Sequence, residues 1–180
     1  MTTERSIPRT DTDRPEHAVP CSIPDTARHL VGTETFDYID AFTVSVPSAD
    51  ASSAEAWARL IFTPTGLRLH IFAALWGAVT GLESPRTGKR MANFRVISPD
   101  RGSAVLVGDG ERCRIRLVVL AAEGCLTLVT FVKSRGTIWH VVMKAMLVGH
   151  RRVAPLLLER GVALKARDRD HQRGASVLDE

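Results

Sequence analysis

The spacing of hydrophobic and polar positions changes several times along the chain and predicts the order of its elements. Apolar and polar side chains alternate in Phe36–Val46, which is the two-residue period of a half-buried strand. A polar turn follows and leads into a short helix over Ala54–Phe62, with Ser52 or Ser53 as its N-cap. A second helix, apolar almost all round, is predicted over Leu67–Leu82.

Four further strands are predicted from runs rich in β-branched and aromatic residues. They are Asn93–Ser98, Ser103–Gly108, Arg112–Ala121 and Cys125–Lys133. Asp109-Gly110 predicts a two-residue hairpin turn, because that turn needs positive φ at both positions. The order β-α-α-β-β-β-β-α predicts an α+β fold in which an antiparallel meander has its helices on one face.

The longest apolar run, Thr137–Gly161, predicts a long amphipathic helix after the last strand. Its predicted buried face has helical spacing and consists of Ile138, Val142, Ala145, Met146, Gly149, Val153, Leu156 and Leu157. A flanking stripe consists of Trp139, Met143, Met146 and His150. Pro155 predicts a kink near Arg151 and a separate last turn, and Gly161 is the predicted helix end.

The two ends of the chain lack an apolar period. Repeated prolines among charged residues predict a disordered tail over residues 1–30, and alternating charges predict a charged tail over residues 165–180. The predicted domain is residues 36–164. The N-terminus has no secretory signal, and the most hydrophobic window, Leu69–Leu82, is shorter than the roughly twenty residues of a membrane span. A cytoplasmic protein without a transmembrane segment is therefore predicted.

Composition narrows the function classes. The net charge is only +4 and aromatic residues make up 6% of the chain, without the dense cationic surface of a nucleic-acid-binding domain. The three cysteines show no ligand spacing with histidine, so no metal is predicted. No nucleophile elbow and no glycine-rich loop before a helix occurs, so no cofactor is predicted either.

Two titratable residues are candidate catalytic groups. His150 lies in the flanking stripe, and an imidazole turned toward the sheet suits acid–base chemistry near neutral pH. Asp40 opens the first strand, where a carboxylate at a cavity mouth could act as a base. The structural alternatives, a histidine hydrogen-bonded at the helix edge and a solvated strand end, remain open.

Arginines at alternate positions of one strand, Arg112, Arg114 and Arg116, are predicted to share one face, and Arg95 of a neighbouring strand could join them. On a concave face, Arg95 and Arg114 could bind a carboxylate or phosphate. On a convex face they would form a solvated surface.

Short motifs also suggest a family. They are Asp40-Ala41-Phe42, Glu55-Ala56-Trp57-Ala58-Arg59, Val107-Gly108-Asp109 and His150-Arg151-Arg152-Val153-Ala154-Pro155-Leu156-Leu157-Leu158. On these residues the chain resembles the uncharacterised bacterial DUF2867 family, within the START/Bet v 1-like (SRPBCC) superfamily. The resemblance implies a helix-grip fold: a curved antiparallel sheet on a long C-terminal helix, with two short helices after the first strand. Cys113-Arg114-Ile115-Arg116 replaces a family segment that begins with histidine, so the role of that histidine does not transfer.

Three functions remain open. Superfamily relatives typically hold an apolar ligand between sheet and helix, which implies an apolar or amphipathic small molecule here. Its contacts would be Trp139, Met143, Met146, His150, Arg95 and Arg114. Some relatives are polyketide-type cyclases, so a cyclase or dehydratase using His150 and Asp40 is the enzymatic alternative. The third is a peripheral-membrane or partner-binding protein that exposes Leu67–Leu82.

Overall fold

The computed structural model describes residues 17–46, 52–62, 77–82, 90–91, 93–97, 100–122 and 124–177. In this part of the chain the strands are β1 (Val19–Pro20), β2 (Tyr38–Ser45), β3 (Arg90–Met91), β4 (Phe94–Ile97), β5 (Ser103–Asp109), β6 (Cys113–Ala122) and β7 (Cys125–Ser134). The helices are α1 (Asp25–Val31), α2 (Ala54–Phe62) and α3 (Thr137–Val177), and residues 77–80 are also helical. This confirms the α+β class, the antiparallel sheet and the long C-terminal helix.

The described strands form one antiparallel sheet in the order β1-β2-β7-β6-β5-β4-β3. β2 therefore lies beside the last strand, with Tyr38 opposite Val132 and Asp40 opposite Thr130. Residues directly opposite each other point to the same face of a sheet, as do residues two apart in one strand. Tyr38, Asp40 and Thr130 consequently share one face.

Helices cover both faces of the sheet. One face packs against α2 and α3 in a cluster that includes Trp57 and Ile61 of α2 and Leu128 of β7. On the other face Ala27 of α1 is packed with Phe131 of β7 and neighbouring valines. The arrangement on the first face, a sheet against a long C-terminal helix, is consistent with a helix-grip-like arrangement.

The predicted disordered tail over residues 1–30 is wrong for residues 17–30, which form β1 and α1. Val19 pairs with Thr43 at the edge of the sheet, and Ala27 is fully buried. This segment is held in place by hydrogen bonds to the edge of the sheet and by a few buried apolar side chains. Such contacts leave no amphipathic pattern in the sequence, which is why the segment was predicted to be disordered. Residues 1–16 lie outside the described part of the chain.

The short helix after β2 is confirmed at its predicted bounds, Ala54–Phe62. Ser53, one of the two predicted caps, accepts a hydrogen bond from the Ala56 N–H at 3.2 Å. Of the second predicted helix, residues 67–76 lie outside the described residues. Thr80 and Leu82, at its end, are buried.

The predicted end of the long helix at Gly161 is wrong, because α3 is one helix of 41 residues that contains Pro155 and Gly161 and continues to Val177. Gly161 lies where α3 crosses α2. A Cβ at this position would be 2.9 Å from Ile61 Cγ1, so the glycine permits close approach of the two helices.

The predicted buried face of the long helix is also wrong. Ile138 and Leu156 are 77% and 61% exposed. Two members of the flanking stripe, Met143 and His150, are buried against the sheet instead. The buried positions of this stretch are Met143, Leu147, His150, Ala154 and Leu158. Helical periodicity identified two apolar stripes but could not decide which one contacts the sheet.

The predicted turn at Asp109-Gly110 is displaced by two residues. Asp109 pairs with Arg114, and the Gly110 N–H donates to the Cys113 carbonyl at 3.0 Å, so Glu111 and Arg112 form the turn. Gly110 lacks the expected positive φ. A Cβ there would be 2.5 Å from a backbone carbonyl oxygen, so this glycine also permits close packing.

Candidate functional site

A group of polar side chains lies between β2, β7 and α3, on the face of the sheet that is otherwise apolar. His150 reaches from α3 to the sheet, where its Nε2 is 3.0 Å from Thr130 Oγ1. The same nitrogen is 3.5 Å from Asp40 Oδ1. His150 and Thr130 are buried, with only 9% and 1% of their surface exposed.

The polar contacts continue from this buried pair to the surface. The Tyr38 hydroxyl donates to Asp40 Oδ2 at 2.5 Å, and Arg151 Nε donates to the Tyr38 oxygen at 3.2 Å. The Arg151 guanidinium also lies 5.6 Å from the centre of the Tyr38 ring. We refer to Tyr38, Asp40, Thr130, His150 and Arg151 as the polar cluster.

Local structure explains how the cluster assembles. Tyr38 and Asp40 are two residues apart on β2, and Thr130 is paired with Asp40 across the sheet. His150 occupies the buried side of α3 between Leu147 and Ala154. Arg151 is the next residue along the helix, and it is exposed beside the buried histidine.

The environment of the cluster fixes the charge of two groups. Burial raises the pKa of Asp40, but the interactions with His150, Tyr38 and Thr130 together lower the pKa further than burial raises it. Asp40 is thus a carboxylate at neutral pH. Burial, with the bond to Asp40, raises the pKa of Tyr38 to about 12, so Tyr38 is a neutral hydroxyl.

One oxygen of Asp40 has room to accept a further hydrogen bond. Oδ1 is buried and, among the described residues, makes no hydrogen bond of normal length. A buried carboxylate oxygen usually has a partner, and an exception calls for an explanation, of which a catalytic role is one. Here the oxygen faces the imidazole of His150. The arrangement suits a carboxylate that orients and polarises the imidazole beside it.

The three predicted apolar contacts on α3 have different surroundings. Met143 is 3% exposed and belongs to the core cluster, and Met146 packs against that cluster from its edge. Trp139 is half-buried, with the Arg112 guanidinium 4.4 Å from its ring centre. Both methionines therefore contribute to the packing of the helix on the sheet.

The arginines predicted to bind an anion lie on the other face. Arg114 alternates with buried Cys113 and Ile115 and is bonded to Glu34 at 2.8 Å, beyond α1. Arg95 is exposed on β4. The structure therefore brings together His150 and Asp40 but not Arg95 or Arg114, because alternate residues of a strand point to opposite faces.

Arg112 was predicted to share that face, and this prediction is wrong because Arg112 occupies the turn before β6. Its Nη1 donates to the Ala78 and Val79 carbonyls at 2.6 and 3.3 Å. A cation at these carbonyls stabilises the end of the helical residues 77–80. Arg112 thus links that helix end to Trp139 at the start of α3.

Three members of the cluster were not predicted as site residues: Tyr38, Thr130 and Arg151. Thr130 had a detectable signal, since it is the polar member of an inward series with Leu126, Leu128 and Val132 on β7. Tyr38 shares the strand period of Asp40. For Arg151 the sequence offers no comparable signal, because its contact depends on where α3 lies.

Among the described residues, no group of three or more His, Cys, Asp or Glu side chains could hold a metal ion. No described helix is long and apolar enough to cross a membrane. Comparisons of the chain with protein-family models, curated proteins and solved structures find no match. The family resemblance remains a prediction, and the function must be argued from the polar cluster.

Proposed function

We propose that this domain binds an amphipathic small molecule at the edge of the interface between the sheet and α3. The polar cluster anchors the polar end of the ligand, and the surrounding apolar side chains contact the remainder. The observation that carries this proposal is the connected polar path from buried His150 to exposed Arg151 within an apolar interface. Burying polar groups costs free energy that an apolar core avoids, which favours a functional reason for them.

The chemistry of the path favours an acidic ligand. The Nε of Arg151 donates to Tyr38, and the side chain is exposed at the surface. The two terminal nitrogens of its guanidinium can therefore bind a ligand. A guanidinium binds carboxylates with paired hydrogen bonds, and the Tyr38 ring beside it adds an apolar contact. A START-like domain that holds a molecule with an acidic head and an apolar body accounts for both features.

Native mass spectrometry and thermal-shift measurements with long-chain fatty acids and aromatic polyketide acids test this proposal. Arg151→Gln should weaken binding about tenfold, because it removes a charged hydrogen-bond partner. Arg95→Gln is the matched control, since Arg95 is exposed on β4 and lies on the other face of the sheet. Absence of binding across the panel, or equal losses in both variants, would contradict the proposal.

A second candidate function is acid–base catalysis at the same position. Asp40 is an anion 3.5 Å from His150 Nε2, an arrangement in which a carboxylate orients and polarises an imidazole. This would suit a cyclase or dehydratase acting on a polyketide-like substrate. In this reading His150 moves the proton and Asp40 holds the imidazole.

Turnover of linear polyketide-like substrates distinguishes catalysis from binding alone. Asp40→Asn and His150→Gln should each reduce turnover at least about a hundredfold. Asp37→Asn is the control, because Asp37 lies 3.8 Å from His140 in an exposed pair of the same residue types. Ligand binding without turnover would leave the binding function and remove the enzymatic one.

A further inference from the structure

α3 has a second apolar face, opposite the one that packs on the sheet. At 3.6 residues per turn, two residues that are two positions apart lie on nearly opposite sides of a helix. Between residues 141 and 158, each buried side chain of α3 is preceded, two positions earlier, by an exposed residue. These exposed residues are Val141, Ala145, Val148, Arg152 and Leu156. With Ile138 at the start of the helix, we call them the outer ridge.

The outer ridge protrudes strongly into solvent. Val141 and Val148 are both 65% exposed, and Ile138 is 77% exposed. A helix that packs on one side only normally carries polar residues on the other side. The ridge extends over the nineteen residues 138–156, about 27 Å of helix, and thus exceeds the scattered apolar residues of an ordinary surface.

The charges around the outer ridge have one sign. Arg152 lies within it and Lys144 on its flank, both exposed. From residue 137 to residue 158 the chain contains no aspartate or glutamate, and Glu159 is the first acid. The ridge is therefore complementary to an anionic surface with an apolar interior.

A second copy of the chain fits the ridge poorly. Two facing ridges would bring the cations of both copies into one interface without an acid from residues 137–158 to compensate them. A protein partner would need a groove shaped to a long protruding helix. The interface of a bilayer deforms around such a helix and requires only apolar side chains flanked by cations.

We propose that the outer ridge of α3 docks on an anionic lipid surface, with the helix parallel to the membrane plane. The apolar side chains enter the region below the headgroups, while Arg152 and Lys144 contact lipid phosphates or carboxylates. This surface differs from the predicted contact at Leu67–Leu82, most of which lies outside the described residues. It leaves the polar cluster, on the sheet side of the helix, free to bind its ligand.

Co-sedimentation of the full chain with phosphatidylcholine vesicles, with and without phosphatidylserine, tests the proposal. We expect binding only when phosphatidylserine is present, and weaker binding as salt is raised. The double substitution Val141→Ser with Val148→Ser should weaken binding at least about tenfold. Arg152→Gln should weaken it about fivefold, the effect of one cation at an anionic surface.

Ile97→Ser is the matched control, because Ile97 is an apolar residue, 44% exposed, that lies outside the outer ridge. It is on β4, three strands from β7 in the sheet. Circular dichroism of each variant verifies that the fold is kept. Equal binding by the double variant, equal binding to both vesicle types, or no binding would overturn the proposal. So would a dimer that dissociates in the double variant, or binding of an acidic amphipathic peptide to the ridge without vesicle binding.

Discussion

Replacement of Asp40 by asparagine tests whether the fold depends on a buried carboxylate. Asparagine keeps the shape of the side chain but removes the charge. The lowered pKa of Asp40 shows that its surroundings favour the anion, despite the opposing effect of burial. A neutral side chain should therefore destabilise the folded protein.

The size of the effect follows from the contacts of the carboxylate. Oδ2 accepts from the Tyr38 hydroxyl at 2.5 Å, and Oδ1 faces His150 Nε2 at 3.5 Å. A hydrogen bond to a charged group contributes roughly 1.5–3 kcal/mol, and a neutral bond contributes about 1 kcal/mol. Asparagine must also turn its NH₂ toward either the Tyr38 hydroxyl or the His150 imidazole. We expect a loss of about 2 kcal/mol at pH 7.

Urea denaturation followed by circular dichroism measures this loss. Asp109→Asn is the control, because Asp109 is bonded to Arg116 at 2.9 Å but its side chain is 49% exposed. Solvent screening limits such a pair to about 1 kcal/mol or less. If Asp40→Asn costs no more than Asp109→Asn, or stabilises the protein, the inference that the cluster favours an anion is wrong.

The pH dependence provides an independent check. In the unfolded chain the pKa of an aspartate is about 3.9, and in the fold that of Asp40 is lower. The unfolded state then binds more protons between the two values, so stability falls with acid. The contribution of Asp40 is complete above about pH 5 and is lost as the pH falls through the folded value. The difference between wild type and Asp40→Asn should narrow in that window.

Three further predictions concern packing and reactivity. Gly161→Ala should destabilise the fold by about 1–3 kcal/mol, because the new methyl would meet Ile61 at 2.9 Å. Gly149→Ala is the control in the same helix: a methyl there has open space and should stabilise the fold by up to about 1 kcal/mol. Urea denaturation measures both variants, and equal effects would refute the close approach of α3 to α2 at Gly161. Gly110→Ala should lower the melting temperature, because its methyl would lie 2.5 Å from a carbonyl oxygen; an unchanged value contradicts this. Burial raises the pKa of Cys113 to about 11, so timed alkylation at about pH 8 should label it last, and early labelling would show that its strand opens.

Part of the candidate site was accessible from the sequence. Asp40 and His150 were each predicted separately, from the chemistry of the side chain and its position in a strand or helix pattern. The structure places His150 Nε2 3.5 Å from Asp40 Oδ1. Their separation of 110 positions gave no indication of this contact. It arises because β2 pairs with β7 and α3 packs across both strands. Arg95 and Arg114 were excluded by the same sheet, since they point to its other face.

The sequence by itself determined the elements, because alternation, capping residues and helical spacing are local properties. It placed most strands within two residues of their observed ends and gave α2 its bounds. Only the tertiary structure decided what each face contacts. Both stripes of α3 contain apolar residues, so local pattern left the choice open, and packing placed Met143 of one stripe inside and Ile138 of the other outside. Gly161 shows the same limit: it has the local signature of a helix end, yet α2 lies against it and the helix continues.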